Sequence, residues 1–416
     1  MDWNFLIRNK ESITVTTDSR KVTPGCIFVA LKGEHFDGNQ FVDQALANGA
    51  AYVIKGENAV CDLQDLARAW RRELGLPIIG ITGTNGKTTT KELTAAVLKT
   101  KYNLYYTQGN FNNSLGVPLT LLSMTRAHAL AIVEMGASHP GDIKELVEIA
   151  EPNYGLITNV GRAHLEGFGS FEGVQRTKRE LYDYLVAHNG TIFINEDNDY
   201  LKQMLSNSLS AVGGPTVQRS FSETVFQPKA VINYHRIPMP LGTHLVGDYN
   251  AENIAAALAV GQFFGVEEET AMEAIRAYEP TNHRSQLVET EHNTLVVDAY
   301  NANPTSMQAA IHAFNNASLP PQSSILLPSS YILGAMRELG DYSRLEHQNV
   351  VNALLEMKED RVYLIGEEYK LTTAPYPIYD NVGQFMEYLQ THPLRGRRIL
   401  LKGSHSTQLE KLLPLL

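Results

Sequence analysis

Residues 83–90 combine glycines, a lysine and threonines in a pattern that can bind phosphate. They follow a short apolar segment, residues 78–82, and lead into a helix-like stretch, residues 91–98. A glycine-rich turn between a strand and a helix leaves backbone N–H groups facing a ligand, and the helix dipole favours anions there. Lys87 adds a positive charge for phosphate oxygens, and the Thr88 hydroxyl can reach a Mg²⁺ ion. The loop residues are Gly83, Thr84, Asn85, Gly86, Lys87, Thr88 and Thr89.

The spacing of this loop is shorter than the standard phosphate-loop pattern G-x-x-x-x-G-K-[ST]. Ile81 occupies the position of the first glycine, and the glycine is displaced to Gly83, so the loop reads G-x-x-G-K-T-T. The alternative is a strand-to-helix turn that binds no ligand. A lysine and two threonines at the start of a helix have little structural reason to occur together, which favours the phosphate-binding interpretation.

Further polar residues follow the ends of predicted strands. Glu134 ends the apolar segment 129–135, where a carboxylate can bind Mg²⁺ directly or through water; the alternative is a structural carboxylate bonded to loop amides. His164 follows the next strand, 154–160, and is either a ligand or a structural histidine. Lys178 lies in a helix-like stretch, and its spacing alone indicates a solvated lysine.

A third group of polar residues lies further along the chain. Asn253, one turn into an alanine-rich helix, is a candidate ligand contact, whereas Asp248 and Asn250 are candidate N-caps of that helix. Residues 298–306 lie where a predicted strand ends and a helix begins. They contain more acid, amide and tyrosine side chains than a turn requires. Arg284 precedes this strand, and Lys402 ends the last strand of the chain. The candidate site residues of this part of the chain are Arg284, Asp298, Tyr300, Asn301, Asn303 and Lys402.

The predicted strands and helices alternate, which indicates α/β domains with mostly parallel sheets. Ligands of such sheets bind at the carboxyl ends of the strands, where the phosphate loop, Glu134 and residues 159–164 all fall. We predict three domains: a small N-terminal α/β domain (1–76), a central P-loop ATPase domain (77–279) and a smaller, Rossmann-like C-terminal α/β domain (280–416). The last strand, residues 399–402, should be followed by a final helix.

Composition limits the classes of function. The net charge of −10 over 416 residues argues against a general nucleic-acid or anionic-membrane binder. No apolar run reaches membrane-spanning length, and residues 1–4 lack the features of a signal peptide. The two cysteines, Cys26 and Cys61, do not form a disulfide framework, which fits a reducing cytoplasm.

Together these residues resemble the Mur ligases, the ATP-dependent amide-forming enzymes of peptidoglycan precursor synthesis, and the resemblance runs through the whole chain. Residues 298–306 are similar to those of the member that joins D-alanyl-D-alanine to UDP-N-acetylmuramoyl-tripeptide; the tripeptide-forming relative usually has a Tyr-Ala-His-Thr-Pro version there. Residues 17–20, 28–33 and 37–38 resemble the domain that receives the UDP-sugar. Its candidate binding residues are Asp18, Ser19, Arg20, Lys32 and Gly33.

The resemblance implies ligation through an acyl phosphate, giving UDP-N-acetylmuramoyl-pentapeptide, ADP and phosphate in a cytoplasmic monomer. The loop would bind the ATP phosphates, and Thr88 and Glu134 would bind one Mg²⁺. His164 and a carbamylated Lys178 would serve a second Mg²⁺. The resemblance assigns nucleotide contacts to Asn253, Arg284 and Asp298, and D-alanyl-D-alanine binding or domain closure to Tyr300, Asn301, Asn303 and Lys402.

Two positions depart from the family pattern. Ala335 replaces an acid in the stretch 333–340, and His405 stands where an arginine is frequent. Both lie in the predicted C-terminal domain, so we expect them to affect the dipeptide or domain closure and not ATP. The nearest rival functions are a ligase of the same superfamily that adds meso-diaminopimelate, lysine or glutamate, and a nucleotide-binding protein without catalysis.

Overall fold

The computed structural model describes residues 3–33, 36–211, 229–239, 242–280, 284–316, 327–359 and 361–416. Its strands form three separate sheets, of three, six and six strands, in chain order. None of the helices in these ranges has the length and apolarity needed to cross a bilayer.

The N-terminal sheet is small and parallel. Its strands are β1 Val15–Thr16, β2 Ile27–Val29 and β3 Tyr52–Ile54, and its helices are α1 Asn4–Ile7, α2 Val42–Ala47 and α3 Ala59–Leu74. Helix α3 has one strongly apolar face, and this face packs against helices of the central unit. The buried Trp70 donates a hydrogen bond from its indole nitrogen to the Met124 carbonyl at 3.0 Å. One hydrophobic core therefore extends from the N-terminal unit into the central unit.

The central sheet has six parallel strands in the order β5-β6-β4-β7-β8-β9. Its strands are β4 Ile78–Thr82, β5 Leu104–Tyr106, β6 Leu130–Glu134, β7 Tyr154–Ile157, β8 Thr191–Asn195 and β9 Ala230–Tyr234. Its helices are α4 Lys87–Lys99, α5 Gly116–Leu122, α6 Asp142–Ala150, α7 Leu165–Phe168, α8 Phe171–Ala187, α9 Asp199–Ala211, α10 Asn250–Phe263 and α11 Glu268–Ala277. Strands β4 and β6 are fully buried because helices cover both faces, as parallel sheets require.

The C-terminal sheet has the order β10-β11-β15-β12-β13-β14, and all neighbouring strands are parallel except the antiparallel pair β10 and β11. Its strands are β10 Gln286–Glu289, β11 Asn293–Asp298, β12 Ser329–Gly334, β13 Val362–Ile365, β14 Ile378–Tyr379 and β15 Arg397–Lys402. Its helices are α12 Pro304–Asn316, α13 Ser343–Glu356 and α14 Val382–Thr391.

These three α/β sheets confirm the predicted fold class. The prediction of a final α-helix after the last strand was wrong. Beyond β15 the chain forms only 3₁₀ turns, at His405–Thr407 and Leu409–Leu415. Pro414 lies in the second turn, and because proline lacks a backbone N–H it disfavours a continuing α-helix.

Candidate active site

The predicted phosphate loop connects the central strand β4 to helix α4. Gly83 and Gly86 both have left-handed backbones, with φ of +143° and +77°. A Cβ on Gly83 would lie 2.0 Å from the Thr158 hydroxyl oxygen, and one on Gly86 would lie 2.3 Å from the Asn253 Oδ1. Only glycine fits such positions, because other residues would add both backbone strain and overlap. The loop therefore packs closely against the end of strand β7 and against helix α10.

The end of strand β7 holds the tip of this loop. The Thr158 hydroxyl donates to the Asn85 carbonyl at 2.6 Å, and the Asn159 amide donates to the same carbonyl at 3.1 Å. In return the Asn85 backbone N–H donates to Asn159 Oδ1 at 3.0 Å. These bonds are made within the protein itself and hold the loop in one conformation, which is the preorganisation that phosphate recognition requires.

Lys87 is the first residue of helix α4 and is half-buried. Its ammonium donates to the carbonyls of Gly83 at 2.7 Å and Thr84 at 3.0 Å. Burial lowers the pKa of Lys87 to about 8, and the nearby Glu134 carboxylate opposes that effect. The lysine therefore lies over the loop with a charge that burial disfavours and that a phosphate would favour.

Glu134 ends strand β6, as predicted, and its carboxylate is buried. Its Oε1 accepts hydrogen bonds from the Asn112 amide at 2.8 Å and from the Thr88 hydroxyl at 3.2 Å. Its Oε2 has no hydrogen-bond partner, although the Lys91 ammonium lies 3.6 Å away. A buried carboxylate oxygen without a hydrogen bond is costly unless a ligand satisfies it.

This arrangement fits a hard divalent cation. The free Oε2 of Glu134 and the Thr88 hydroxyl are both oxygen donors of the kind that Mg²⁺ prefers. Within the described ranges no group of three or more His, Cys, Asp or Glu side chains could hold a metal ion. At nucleotide sites Mg²⁺ is usually bound by one or two carboxylates together with water and phosphate oxygens, and the Glu134 carboxylate fits that pattern.

His164 and Lys178 both lie beside the Phe168 ring. The Lys178 ammonium is 5.5 Å from the centre of the Phe168 ring. The centre of the His164 imidazole is 6.2 Å from the centre of the same ring. Lys178 is only 2% exposed, so the solvated lysine indicated by spacing was wrong. Burial, with a contribution from the Lys87 charge, holds the pKa of Lys178 well below its usual range. Burial likewise lowers the pKa of His164.

Asn253 is buried in helix α10 against the phosphate loop. Its Oδ1 accepts from the Thr90 hydroxyl at 3.0 Å, and its amide nitrogen donates to Asn250 Oδ1 at 2.9 Å. The predicted N-caps were wrong: Tyr249 occupies the cap position without a side-chain bond. Asp248 instead pairs with Arg236, and the Asn250 amide donates to the carbonyl four residues earlier.

The C-terminal sheet brings a second set of candidates to the same place. The buried Lys402 ammonium donates to Asp298 Oδ2 at 2.6 Å and to the Asn301 carbonyl at 3.1 Å. The Arg284 guanidinium lies 3.9 Å from the centre of the Tyr300 ring, which is within cation–π range. The Nε of Arg284 is buried without a hydrogen-bond partner and can therefore donate to a ligand.

The two departures from the family pattern lie in different surroundings. His405 stacks on Tyr300, with ring centres 5.7 Å apart, and faces the cleft. Ala335 is fully buried, and its carbonyl accepts the Ser404 hydroxyl at 2.8 Å. The turn after β12 is therefore anchored although the usual acid is absent.

These groups surround one cavity of about 1030 Å³ between the central and C-terminal sheets. The amide of Asn303 donates to Asn85 Oδ1 at 2.7 Å, which joins the C-terminal unit directly to the phosphate loop. Of the predicted residues, the cavity is lined by Thr84, Asn85, Gly86, Lys87, Thr88, Thr89, Glu134, His164, Asn253, Arg284, Asp298, Tyr300, Asn301, Asn303 and Lys402. Gly83 and Lys178 do not line the cavity but contact residues that do: the Gly83 carbonyl accepts from Lys87, and the Lys178 ammonium donates to the Ala137 carbonyl at 3.5 Å.

The predicted UDP-sugar residues lie apart from this cavity, and none of the five lines it. Asp18 caps the short 3₁₀ helix Ser19–Lys21, and its carboxylate accepts both backbone and side-chain bonds from Arg20. These bonds lower the pKa of Asp18 to about 2. The Arg20 side chain is 84% exposed while paired with Asp18, so a ligand can reach the guanidinium from solvent. Lys32 pairs with Asp37 in an isolated antiparallel bridge, and the Gly33 N–H donates to the Phe36 carbonyl at 2.8 Å.

Sequence reasoning missed two residues of the Glu134 cluster. Lys91 is fully buried, and its ammonium donates to the Thr107 carbonyl at 2.7 Å. It lies four residues after Lys87 on helix α4, so helical spacing already placed both lysines on one face. Asn112 lies in a loop with no local signal in the sequence for its contact with Glu134.

Comparison with known protein families identifies the class. Three family models match the chain: the Mur ligase catalytic domain over residues 13–98, the Mur ligase middle domain over 81–261 and the Mur ligase glutamate ligase domain over 283–405. The chain belongs to the Mur ligase family, as the resemblance implied.

Relatives extend over nearly the full length. The UDP-N-acetylmuramoyl-tripeptide–D-alanyl-D-alanine ligase of Bacillus subtilis is 34% identical, covering 96% of this chain and 92% of the relative. The enzyme of the same name from Escherichia coli is 34% identical, with coverage of 86% and 83%. Among solved structures, MurF of Acinetobacter baumannii has a TM-score of 0.82 at 26% identity, covering 96% of this chain and 92% of that one. MurF of Thermotoga maritima in complex with ADP has a TM-score of 0.81 at 26% identity, covering 98% of both chains.

Proposed function

We propose that this protein is the ADP-forming ligase that joins D-alanyl-D-alanine to UDP-N-acetylmuramoyl-tripeptide. One observation carries the proposal: a preorganised phosphate loop faces the strand ends of a second sheet across one cleft, in a chain whose full-length relatives bear that activity in their names. The product is UDP-N-acetylmuramoyl-pentapeptide, a precursor for peptidoglycan.

The reaction proceeds through an acyl phosphate. A terminal carboxylate oxygen of the tripeptide attacks the γ-phosphorus of ATP, and the bond to the β-phosphate oxygen breaks to release ADP. The amine of D-alanyl-D-alanine then attacks the acyl carbon, loses a proton, and phosphate leaves with the former carboxylate oxygen. Lys87 stabilises the charge on the transferring phosphoryl group, since its ammonium already lies over the loop. The closed cleft keeps water from the acyl phosphate.

The loop residues 83–89 bind the ATP phosphates in this proposal. Thr88 and Glu134 hold one Mg²⁺, which supplies Lewis-acid stabilisation of phosphate oxygens when bound. Asn253, Arg284 and Asp298 serve the nucleotide. The remaining residues of the C-terminal side of the cleft, which serve D-alanyl-D-alanine or closure, are Tyr300, Asn301, Asn303 and Lys402.

Lys178 is carbamylated in this proposal and, with His164, serves a second Mg²⁺. Its lowered pKa supports this, because only a neutral amine attacks CO₂ to form the N–C bond, losing its proton to solvent. ¹³CO₂ should give one protein-bound carbamate signal that Lys178→Ala abolishes. Persistence of that signal in the variant, or its absence from the parent, would argue against carbamylation.

The three units act as separate domains in this proposal, with bounds of 1–76, 77–279 and 280–416. Asp18, Ser19, Arg20, Lys32 and Gly33 bind the UDP-sugar on the first of them. We propose a monomer, and a cytoplasmic site of action, where ATP is available.

The experiment that tests the function is a screen of ADP release. Each UDP-muramyl peptide should be combined with each candidate amine: D-alanyl-D-alanine, meso-diaminopimelate, lysine and glutamate. We expect release only with a UDP-muramyl-tripeptide and D-alanyl-D-alanine together. Release with a different amine would identify another ligase of the family, and release with none would favour a non-catalytic nucleotide-binding protein. The same screen identifies the third residue of the tripeptide.

A further inference from the structure

Several side-chain contacts join the C-terminal unit to the central unit, and three of them involve an amide or a carboxylate group of the C-terminal unit. Asn303 bonds to Asn85, as described above. Glu346 accepts a bond from the Arg162 guanidinium at 2.9 Å. The third contact joins the Glu338 carboxylate to Nδ1 of His164. Of the three, only this last one involves a residue already implicated at the second cation site.

Glu338 is held in an unusual backbone conformation. Its φ is +59°, in the left-handed region that non-glycine residues rarely occupy. The turn around it is fixed on both sides: the Met336 N–H donates to the buried His347 imidazole at 3.0 Å, and Leu339 is buried. The Glu338 carbonyl also accepts the Glu166 N–H at 3.4 Å. Strain of this kind persists where the surrounding structure fixes it, and it is concentrated at functional sites.

His164 meets this turn with a left-handed backbone of its own, at φ +49°. Two strained residues from different units therefore face each other, and both line the cleft. An ionised carboxylate can only accept hydrogen bonds, so the ring nitrogen that contacts it must carry a proton. A neutral imidazole has only one such proton, and its other nitrogen is then a bare acceptor.

We propose that Glu338 is a positioning residue that reaches from the C-terminal sheet and fixes the His164 proton on Nδ1, leaving Nε2 free to ligate a divalent cation in the cleft. Carboxylates commonly orient metal-binding histidines in this way. Because the carboxylate comes from the opposite unit, the histidine acquires its ligand form only when the two units are together. This inference deepens the proposed ligase function and rests on it.

The test measures which nitrogen of the His164 imidazole carries the proton, and it does not require catalytic turnover. Metal-free protein labelled with ¹⁵N-histidine should be studied with ADP at pH 8, with the His164 signals assigned by their loss in His164→Gln. We expect the proton on Nδ1 in the parent and on Nε2 in Glu338→Ala. Glu338→Gln should retain the parent form, because its amide oxygen can still accept. An Nε2 proton in the parent, or an unchanged ring in Glu338→Ala, would overturn the proposal.

Two further variants make the test specific. Glu346→Gln alters the other carboxylate of the interface without touching His164 and should leave the tautomer unchanged; a shift there would attribute the effect to general loosening and overturn the proposal. Glu338→Asn tolerates the left-handed backbone and is too short to reach, so it serves if the alanine variant does not fold. In the ligase assay Glu338→Ala should require about 10–100-fold more Mg²⁺ for half-maximal rate. If Glu338→Ala kept both the parent Mg²⁺ requirement and the parent tautomer of His164, this inference would be refuted while the proposed ligase function would stand.

Discussion

At Lys87, burial and positive charge oppose each other. In the folded protein its pKa is lowered to about 8, mainly by burial. Phosphate oxygens favour the charged amine, so nucleotide binding should raise this pKa. Below pH 8 the amine already carries its proton; above pH 8 it must acquire one when ADP binds.

Calorimetry of ADP binding in buffers of different ionisation enthalpy should measure this uptake. We expect up to about one more proton per ADP at pH 9 than at pH 7 in the parent, and no such difference in Lys87→Met. The substitution should also lower turnover by about 10²–10³-fold. Equal proton uptake in the two proteins would contradict the contact between Lys87 and phosphate.

Lys91 compensates the charge of the buried Glu134 carboxylate. Lys91→Met removes this ion-pair partner, and breaking a buried pair from one side typically costs about 3–5 kcal/mol. The free energy of unfolding in urea should fall by about that amount. Lys91→Met with Glu134→Gln should recover part of the loss, because no uncompensated charge remains. Simple additivity of the two single losses would show that the ammonium and carboxylate do not interact.

At the scale of elements, the turn between β4 and α4 depends on its glycines. Gly86→Ala places a methyl group against Asn253 and costs about 1–2 kcal/mol for the left-handed backbone alone. We expect ADP affinity, measured by calorimetry, to fall about tenfold or more. Gly141→Ala is the matched control, since Gly141 has φ +89° and no atom near a built Cβ. Equal affinities in the two variants would mean that contact with Asn253 does not matter for the loop.

The elements that carry the site were largely predictable from sequence. Glu134 ends a parallel strand beside the phosphate loop, as the rule that ligands gather at carboxyl strand ends predicted. Asp298 and Lys402 end neighbouring strands of the C-terminal sheet, and that rule does not predict that they face the central sheet. Lys178 was misjudged because lysine on a helix is usually solvated, whereas helix α8 is packed closely enough to bury it. The contact between His164 and Glu338 spans 174 residues and leaves no local pattern, so only the folded chain reveals it.

At the scale of the whole molecule, the protein has to attract anionic substrates despite a net charge of −10. In the proposed function local cations do this at two places: Lys87 and Arg284 in the cleft, and Arg20 in the 3₁₀ turn of the N-terminal unit. Because Arg20 lies outside the cleft, its role can be tested independently of ATP.

Arg20→Ala should raise the Michaelis constant for the UDP-muramyl-tripeptide about tenfold or more, the loss of one charge-assisted hydrogen bond. The constant for ATP should not change, because the phosphate loop is untouched. Lys21→Ala, an exposed cation in the same 3₁₀ turn, is the control and should match the parent for both substrates. If Arg20→Ala raised the Michaelis constant for ATP alone, our assignment of Arg20 to the UDP-sugar site would be wrong.

The ligase reaction itself is tested most directly by following one oxygen atom. UDP-N-acetylmuramoyl-tripeptide labelled with ¹⁸O in its terminal carboxylate should be incubated with ATP, Mg²⁺ and D-alanyl-D-alanine, and both products examined by mass spectrometry. Attack of the carboxylate on the γ-phosphorus predicts one ¹⁸O in the released phosphate, together with UDP-N-acetylmuramoyl-pentapeptide. Phosphate without ¹⁸O, or ADP release without the pentapeptide, would contradict the proposed function.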